Sequence, residues 1–406
     1  MALSYSTLTG FEVGSAPGQT LTGAGVTFDT TTPRSGLYRA HIVSPLNTAT
    51  CISFGTIGGK NAFRFAVKVS SRPSSGVAGI AGSTHAGAEA FTLQISSAGV
   101  LQLGAAATAY QIGPTIDTTN YHLVEFQVDS TNLTVDWKID GVLQTRATMI
   151  ASASGDLYNL GTPFATQPAF TADYDDVILG SWTVAATDWW GDGKILAQLP
   201  GSDGTHNTVA DFSPGDAGTI YSGTVTTAWT MVDDPAGTGG WTATRSTTDN
   251  LAMRVVNTTA YLEIAPAPTS QPGKANAVQA YMTYSSATTV ANAAGCVVRN
   301  SAGAVSELWG IVGGVLQPYN VTTNTFQTAN VTKPAAGWTA AEVNAIRFRF
   351  GGGTSSDISP VPTVQAMMLE VDWPVAAAAA LLAGQHHRRP QAVYARRDPG
   401  GSRARF

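Results

Sequence analysis

The chain has 406 residues, 43 of them glycine and 20 proline, and only 12 % of its residues are charged. This composition, with abundant threonine, serine and valine, is typical of an all-β protein. The chain is too long for one β-sandwich, so we expect two tandem antiparallel β-sandwich domains. The longest apolar run, residues 375–383, is too short to cross a bilayer, and no secretory signal is visible, so we expect a soluble protein without a membrane span.

Strand-like runs separated by turn residues recur through residues 1–185 and predict the first sandwich. We also expect the segments Gly10–Glu12 and Asp173–Gly180 to pair at one edge of a sheet, because the ends of a domain often meet. The expected strands are Phe63–Val69, Phe91–Ile95, Val100–Leu103, His122–Val128, Leu133–Ile139 and Asp176–Leu179.

Residues 121–145 predict three antiparallel strands joined by tight turns. Between Leu133 and Ile139 every second residue is apolar, so this strand should have one buried face and one wet face. Asp140 and Gly141 then form a dipeptide well suited to a type I′ turn, after which the ladder resumes. We therefore expect a three-stranded meander that covers a core.

Residues 186–220 are rich in glycine, aspartate, proline and asparagine, which indicates turns and an extended connection rather than a continuous sheet. A second series of strands predicts a second sandwich over residues 221–374. Within it, Thr339 and Glu342 have the spacing of a capping box and predict one short helix. The expected strands begin near Trp229 and include Leu251–Val256, Ala260–Ile264, Val278–Tyr284, Gly295–Arg299, Leu308–Val312, Ala345–Phe350 and Val364–Val371.

The segment 375–406 consists of an alanine-rich run and an extended basic C-terminal tail that starts at Gln385. The tail carries six arginines and one aspartate, hence +5, and because the whole chain carries −5, the rest of it carries −10. We expect the tail to dock on an acidic protein surface rather than on nucleic acid, since the acidic body would repel a duplex. The predicted docking residues are Arg388, Arg389, Tyr394, Arg396, Arg397, Arg403, Arg405 and Phe406.

The order of several motifs resembles bacteriophage virion proteins that have a concanavalin-like or laminin-G-like jelly-roll domain. In the first half the motifs are GFE at 10–12, the meander at 121–143 and DYDDVILG at 173–180. In the second half, WWGDGKI, LPGSDGTH, VDDPAG, TTDNL and ISPVPTVQAMMLEVDWP resemble the region that follows such a domain in phage tail and virion proteins. The resemblance spans roughly residues 8–374 and excludes the basic tail.

The resemblance implies a tail-associated structural component of a virion, made in the host cytoplasm, that binds a host-surface glycan. Its implied partners are other virion proteins and further copies of this chain. A minor tail protein is the main hypothesis, and a capsid decoration or head-fibre protein is the alternative. A polysaccharide-degrading glycosidase is the hypothesis from a different class.

The residues give little support for catalysis. A retaining glycosidase needs two carboxylates about 5 Å apart. Glu370 and Asp372 share one strand face, but no further glutamate follows them, and we expect that face to be solvated. Nucleophile, phosphate-loop and paired-cysteine motifs are missing, and Cys51 and Cys296 are expected to be buried free thiols. We therefore assign no catalytic residues and predict that the chain is not an enzyme.

Two pairs of residues are candidates for binding. Asp173 and Asp175 lie on one strand face and could hold calcium, or could instead bind backbone amides. No other cofactor is expected. Trp189 and Trp190 could stack on the apolar faces of sugar rings, or could pack inside the protein.

Overall fold

A computed structural model describes most of the first half of the chain and parts of the second half. These residues form strands and one short helix, so the expected all-β fold class of antiparallel sheets is confirmed. The described residues are 4–12, 14, 16, 19–55, 59–105, 110–150, 157–183, 188–207, 212–214, 251–253, 261–285, 294–299, 305–309, 311–312, 315–316, 325–330, 338–351 and 363–375.

The strands alternate with short turns throughout the described residues. In the first half they are β1 (Ser4–Thr9), β2 (Thr20–Thr22), β3 (Val26–Asp29), β4 (Arg39–Ser44), β5 (Thr50–Phe54), β6 (Lys60–Ser71), β7 (Val77–His85), β8 (Ala88–Ser96), β9 (Val100–Gly104), β10 (Gln111–Thr115), β11 (His122–Asp129), β12 (Thr134–Ile139), β13 (Val142–Leu143), β14 (Ala147–Thr148), β15 (Leu157–Thr162) and β16 (Phe170–Ser181). In the second half they are β17 (Gly193–Gln198), β18 (Pro200–Asn207), β19 (Phe212–Pro214), β20 (Leu251–Met253), β21 (Tyr261–Pro266), β22 (Lys274–Ala275), β23 (Ala277–Ser285), β24 (Ala294–Arg299), β25 (Val305–Trp309), β26 (Ile311–Val312), β27 (Val315–Leu316), β28 (Thr325–Asn330), β29 (Trp338–Thr339), β30 (Ile346–Gly351) and β31 (Thr363–Pro374), and the helix α1 is Ala340–Asn344.

The first sixteen strands form two antiparallel sheets around one apolar core. Sheet 1 has the order β13-β12-β11-β6-β16-β4-β3, with β1 beside β16 and β14 beside β12. Sheet 2 has the order β10-β9-β8-β7-β15-β5-β2. Phe63 and Phe126 of sheet 1 meet Tyr158 and Phe91 of sheet 2, with ring centroids 5.4 Å apart in each pair. Burial of these inner faces therefore holds the sandwich together.

The meander predicted from residues 121–145 is confirmed as β11, β12 and β13. Val135, Trp137 and Ile139 of β12 are buried, and the residues between them are partly exposed. Asp140 and Gly141 have φ values of 50° and 77°, which is the backbone conformation that a type I′ turn requires.

The N-terminal strand joins sheet 1 at a different place from the one expected. β1 pairs with the second part of β16, and β4 pairs with its first part. The two ends of the domain therefore pair as expected, but the pairing is made by Ser4–Thr9, and the expectation that Gly10–Glu12 makes it is wrong. A bulge between Asp175 and Ile178, with Asp176 at a φ of 52°, redirects β16, so that it has two successive partners on one side.

The second half contains two larger antiparallel sheets. Sheet 3 has the order β19-β20-β31-β23-β28 with β17 beside β31, and sheet 4 has the order β18-β21-β30-β24-β25. The interpretation of residues 186–220 as a connection without sheet is wrong, because β17, β18 and β19 lie there. Glycine-rich flanks concealed β17, whose partner β31 is far away in sequence. Trp229 lies outside the described residues.

The predicted helix is present and is capped as expected. The Thr339 hydroxyl accepts a hydrogen bond from the Glu342 N–H at 3.2 Å, and the Glu342 carboxylate accepts one from the Thr339 N–H at 2.8 Å. This reciprocal pair is a capping box and satisfies two N–H groups at the start of the helix. Within the described ranges, no helix is long and apolar enough to span a membrane.

Candidate functional site

The outer face of sheet 2 consists of neutral polar side chains, glycines and one acidic side chain, that of Glu89. Strand alternation places Phe91, Leu93 and Ile95 of β8 in the core and turns Thr92 and Gln94 outward. Strands β5, β9 and β15 follow the same alternation, whereas two bulges interrupt it between β7 and β8. We call this surface the polar face, and its residues are Ser53, Gly82, Thr84, Glu89, Thr92, Gln94, Gln102, Gly104, Tyr110 and Asn159.

A row of mostly small residues crosses the middle of the polar face. Thr92 lies opposite Gly104 on one side and Gly82 on the other. Gly82 in turn lies opposite Asn159, which lies opposite Ser53. Adjacent strands are about 4.8 Å apart, so this row of five residues spans about 19 Å. Of the five residues only Ser53 is not buried, and the Tyr110 ring occupies the space beside Gly104 that a side chain would take, so we call this recessed row the trough.

A chain of hydrogen bonds fixes the polar side chains at one end of the trough. Gln102 Nε2 donates to Gln94 Oε1 at 2.8 Å, and Gln94 Nε2 donates to the Tyr110 hydroxyl at 2.9 Å. That hydroxyl donates to Glu89 Oε1 at 3.2 Å. Burial and the nearby Glu89 carboxylate raise the pKa of Tyr110 to about 12, so the hydroxyl keeps its proton at neutral pH.

A second set of hydrogen bonds fixes the other end. Ser53 Oγ donates to Asn159 Oδ1 at 2.7 Å, and Asn159 Nδ2 donates to Thr84 Oγ1 at 3.4 Å. Asn159 is 1 % exposed and lies at the bottom, whereas Ser53 is half-buried, as are Gln102 and Tyr110 at the opposite end. The polar face therefore has a recessed middle and accessible ends.

The chemistry of the polar face suits an extended ligand with many hydroxyl groups. Amides and hydroxyls are both donors and acceptors, as are the hydroxyl groups of such a ligand. Because the side chains already hold one another in place, they lose little freedom when a ligand binds.

The two predicted calcium ligands are buried and already bound by protein groups. Asp173 pairs with Arg39 Nη1 at 2.5 Å and His41 Nδ1 at 2.6 Å. Asp175 accepts hydrogen bonds from the backbone N–H groups of Arg34 at 2.7 Å and Ser35 at 3.1 Å. In the part of the chain that the structure describes, no group of three or more acidic, histidine or cysteine side chains could hold a metal ion. Calcium at Asp173 and Asp175 stays a prediction.

The two predicted sugar-stacking tryptophans have different surroundings. Trp190 is 6 % exposed and packs in an apolar cluster with Trp182 and Ile195. Trp189 is partly exposed, and the Lys138 ammonium nitrogen lies 4.3 Å from its ring centroid, a cation–π contact. Stacking on a sugar requires an accessible ring face, so the prediction that these rings bind carbohydrate now concerns Trp189 chiefly.

Two other predictions fall wholly or partly on residues that are not described. All predicted docking residues between 388 and 406 lie outside the described residues, so docking of the basic tail stays a prediction. Cys51 is a buried free thiol, as expected, and burial raises its pKa. The Cys296 side chain also lies outside the described part.

The strand face that carries Glu370 and Asp372 is buried, so the expectation that it is solvated is wrong. Both residues are 0 % exposed. Arg64 of sheet 1 donates to both Asp372 carboxylate oxygens, at 3.0 and 2.7 Å, and Asn276 Nδ2 donates to one of them at 3.0 Å. This bidentate pair joins β6 to β31. No polymeric substrate can reach these carboxylates in this arrangement.

A buried group of four acidic residues lies beside this pair. We call it the acid cluster: Glu12, Asp175, Asp176 and Glu370. Glu370 Oε1 accepts from the Glu12 N–H at 3.1 Å, and Glu12 Oε2 accepts from the Leu37 N–H at 2.7 Å. Burial, with the nearby Glu370 carboxyl, raises the pKa of Glu12 to about 9, and burial raises the pKa of Glu370 to about 8. Both side chains are therefore neutral at pH 7.

Asp176 of the cluster pairs with an arginine, and the Glu12 carboxyl group packs closely against the backbone at Gly36. Arg34 pairs with Asp176 and with Asp192, so it links β16 to the start of β17. Gly36 has a φ of 61°, and a Cβ at this position would overlap the Glu12 carboxyl group, so only glycine fits there. The cluster is thus a structural joint between the first sandwich and strands β17 and β31.

Sequence reasoning missed the polar face and the residues that join Arg64 to the second half. One signal was available for the joint: Arg64 stands alone between Phe63 and Phe65 in an apolar strand, and a buried arginine needs an acidic partner. The polar face gave a weaker signal, because alternating Thr92 and Gln94 also fit an ordinary wet strand face.

The chain was compared with known proteins. No protein-family model matches the sequence, and no curated protein matches it. A sialidase structure has a TM-score of 0.35 and 8 % identity over 44 % of this chain, which covers only 18 % of that protein. Domain 4 of a GH43 extracellular arabinanase from Geobacillus stearothermophilus, in complex with arabinotriose, has a TM-score of 0.34 and 14 % identity over 46 % of this chain and 97 % of that domain. An alginate lyase from Corynebacterium sp. has a TM-score of 0.30 and 12 % identity over 38 % of this chain and 81 % of that one.

These similar structures are carbohydrate-active enzymes and a domain that holds an oligosaccharide, and they give no support for a phage origin. The prediction that the chain is not an enzyme is contradicted by this comparison, since the similar structures include enzymes, a sialidase and an alginate lyase. A β-sandwich without a familiar motif is not evidence against activity. We therefore withdraw that prediction.

Proposed function

We propose that the chain binds a glycan along the polar face of sheet 2. The observation that carries the proposal is the hydrogen-bonded series Gln102–Gln94–Tyr110–Glu89, whose members Gln102, Tyr110 and Glu89 are half-buried at one end of the trough. Each amide in the series uses part of its hydrogen-bonding capacity within the protein and keeps the rest for a ligand. The half-buried ends of the trough give a sugar chain access to these groups.

Binding can be tested with the complete chain on a glycan array, followed by calorimetric titration of the glycans that bind. Gln102→Ala and Ser53→Ala each remove one half-buried partner, one at each end of the trough. We expect each to weaken binding about fivefold, which corresponds to the loss of about 1 kcal/mol from one hydrogen bond. Thr134→Ala on the outer side of sheet 1 is the matched control and should leave the affinity unchanged.

Two results would count against the proposal: no glycan on the array binds, or the Gln102 and Ser53 variants keep full affinity. Incubating the wild-type chain with each bound polysaccharide, and measuring polymer length over time, shows whether the chain also cleaves what it binds. Such cleavage would require catalytic groups other than Glu370 and Asp372, since both are buried.

A position in a virion stays a prediction that rests on the motif resemblance. A minor tail protein, with a capsid decoration or head-fibre protein as the alternative, would place several copies of the polar face on the outside of a particle. Electron microscopy with an antibody against the chain tests this directly. Deleting residues 385–406 tests whether the basic tail is needed for incorporation, since particles should then lack the protein.

A further inference from the structure

We infer that the polar face selects neutral glycans and discriminates against anionic ones. The inference rests on the proposed function and adds the class of ligand. Its first basis is the composition of sheet 2, whose seven strands contain no lysine, arginine or aspartate. Glu89 and His85 are the only acidic, basic or histidine residues in these seven strands.

Its second basis is the position of the cations of the first sandwich. Most of them are already engaged in sheet 1 or beside it: Arg34 with Asp176, Arg39 with Asp173, Arg64 with Asp372, Arg146 with Asp136, Lys60 over Trp182, Lys68 near Tyr121 and Lys138 over Trp189. Arg72 is bound by the carbonyl oxygens of Ala98 and Ile116, at the turn that precedes β9. These eight side chains are all the lysines and arginines before residue 184.

The consequence for a charged ligand follows from the energetics of carboxylate burial. Proteins bind carboxylates mainly through arginine and lysine, often with the two parallel hydrogen bonds of a guanidinium group. A carboxylate placed in the trough would lose water without gaining a cation, which is costly. Glu89 adds repulsion at one end, where it accepts the Tyr110 hydroxyl. A sugar with only hydroxyl groups meets neither penalty.

The experiment compares three forms of the same polysaccharide on the complete chain. The forms are the native neutral polymer, its carboxymethyl ether and its hydroxyethyl ether, and glucan, mannan, galactan and arabinan backbones are tried in turn. The hydroxyethyl group is close in size to the carboxymethyl group but is neutral, so it controls for bulk. We expect the carboxymethyl form to bind at least about tenfold more weakly than the hydroxyethyl form at low salt.

A charged variant of Gln102 tests whether the missing cation causes the preference for the hydroxyethyl form over the carboxymethyl form. Gln102→Lys places a cation at a half-buried position of the polar face, and we expect it to reduce the preference for the hydroxyethyl form at least about threefold. Gln102→Met, which changes side-chain chemistry without adding charge, should leave that preference unchanged. Equal or tighter binding of the carboxymethyl form by the wild-type chain overturns the inference and leaves glycan binding intact. If none of the three forms of any backbone binds, both the inference and the proposed function fail.

Discussion

The outer faces of the two sheets of the first sandwich differ in what they carry and in what lies on them. On sheet 1, Arg64 and Glu125 lie side by side in adjacent strands and are buried. Glu125 accepts the Gly191 N–H at 2.8 Å, and Arg64 meets Asp372 of β31. On sheet 2, the corresponding surface carries amides and hydroxyls that bind one another. Sheet 1 therefore uses charge to hold the second half of the chain, and sheet 2 presents neutral groups.

This difference follows from the cost of burying charge. A charged side chain under another layer must find its counter-charge there, so each charge on sheet 1 makes the docking of β31 and the 188–195 segment more specific. Neutral amides carry a smaller penalty and can remain partly open to solvent. The polar face of sheet 2 can therefore exchange its bound water for a ligand without breaking an ion pair. Substitutions in each of the two surfaces test this division between a charged joint and a neutral face.

The largest expected effect concerns the buried ion pair. Arg64→Met removes the guanidinium group and leaves the Asp372 carboxylate buried with Asn276 as its remaining side-chain partner. We expect the free energy of unfolding to fall by about 3–5 kcal/mol. Urea unfolding, followed by tryptophan fluorescence, measures the change. The double variant Arg64→Met, Asp372→Leu should recover much of the loss, and a single variant as stable as the wild type would contradict the role of the joint.

The second effect is a loss of stability as pH rises. Glu12 and Glu370 have pKa values of about 9 and 8 in the folded chain, whereas an unfolded glutamate titrates near 4.5. Between these values the unfolded chain releases protons that the folded chain keeps, so unfolding becomes easier as pH rises. Each group lowers the free energy of unfolding by at most about 1.4 kcal/mol for each pH unit of rise within this range, which is a smaller step than the loss expected for Arg64→Met.

Glu12→Gln isolates one of these groups. The amide has nearly the shape of the neutral acid but does not titrate, so the slope of unfolding free energy against pH should fall by about 1.4 kcal/mol per pH unit. Thr134→Ala changes no titratable group and should keep the wild-type slope. A wild-type stability that stays flat or rises from pH 5 to pH 8 would show that the acid cluster does not keep its protons.

The fold could be predicted from local patterns where neighbours in sequence are also neighbours in space. The β11–β13 meander and the Thr339 capping box are of this kind, since a few adjacent residues determine each of them. The pairing of β17 with β31 could not be found in this way, because its hydrogen bonds join distant segments. The position of β1 depended on the Asp176 bulge, which no residue pattern revealed.

The candidate site shows the same limit. Trp189 and Trp190 are adjacent in sequence and looked equivalent, but the fold buries one ring and leaves the other partly exposed. Glu370 and Asp372 alternate as a wet strand face would, and only the sandwich that covers them makes that face buried. Alternation specifies which residues share a face, whereas the layer that lies on that face is set by tertiary packing.

A smaller effect is expected within the neutral face of sheet 2. Tyr110→Phe removes the hydroxyl that joins Gln94 to Glu89. Because Tyr110 is half-buried and water can replace part of the lost bonding, we expect stability to fall by about 1 kcal/mol. Thermal unfolding measures this change, and glycan titration of the same variant should show weaker binding. A loss comparable to that of Arg64→Met would mean that the polar face is a second structural joint.

The smallest effect is expected for an ion pair in the meander, on the exposed part of sheet 1. Arg146 Nε lies 2.6 Å from Asp136 Oδ1, and the arginine side chain is 59 % exposed. Water screens such a pair, so Arg146→Ala should cost about 0.5 kcal/mol at low salt and still less in 1 M sodium chloride. The Arg64 pair has no exposed atoms to screen, so the cost of Arg64→Met should change little with salt. Salt titration of both variants therefore separates a charge that holds two layers together from one that lies on the surface.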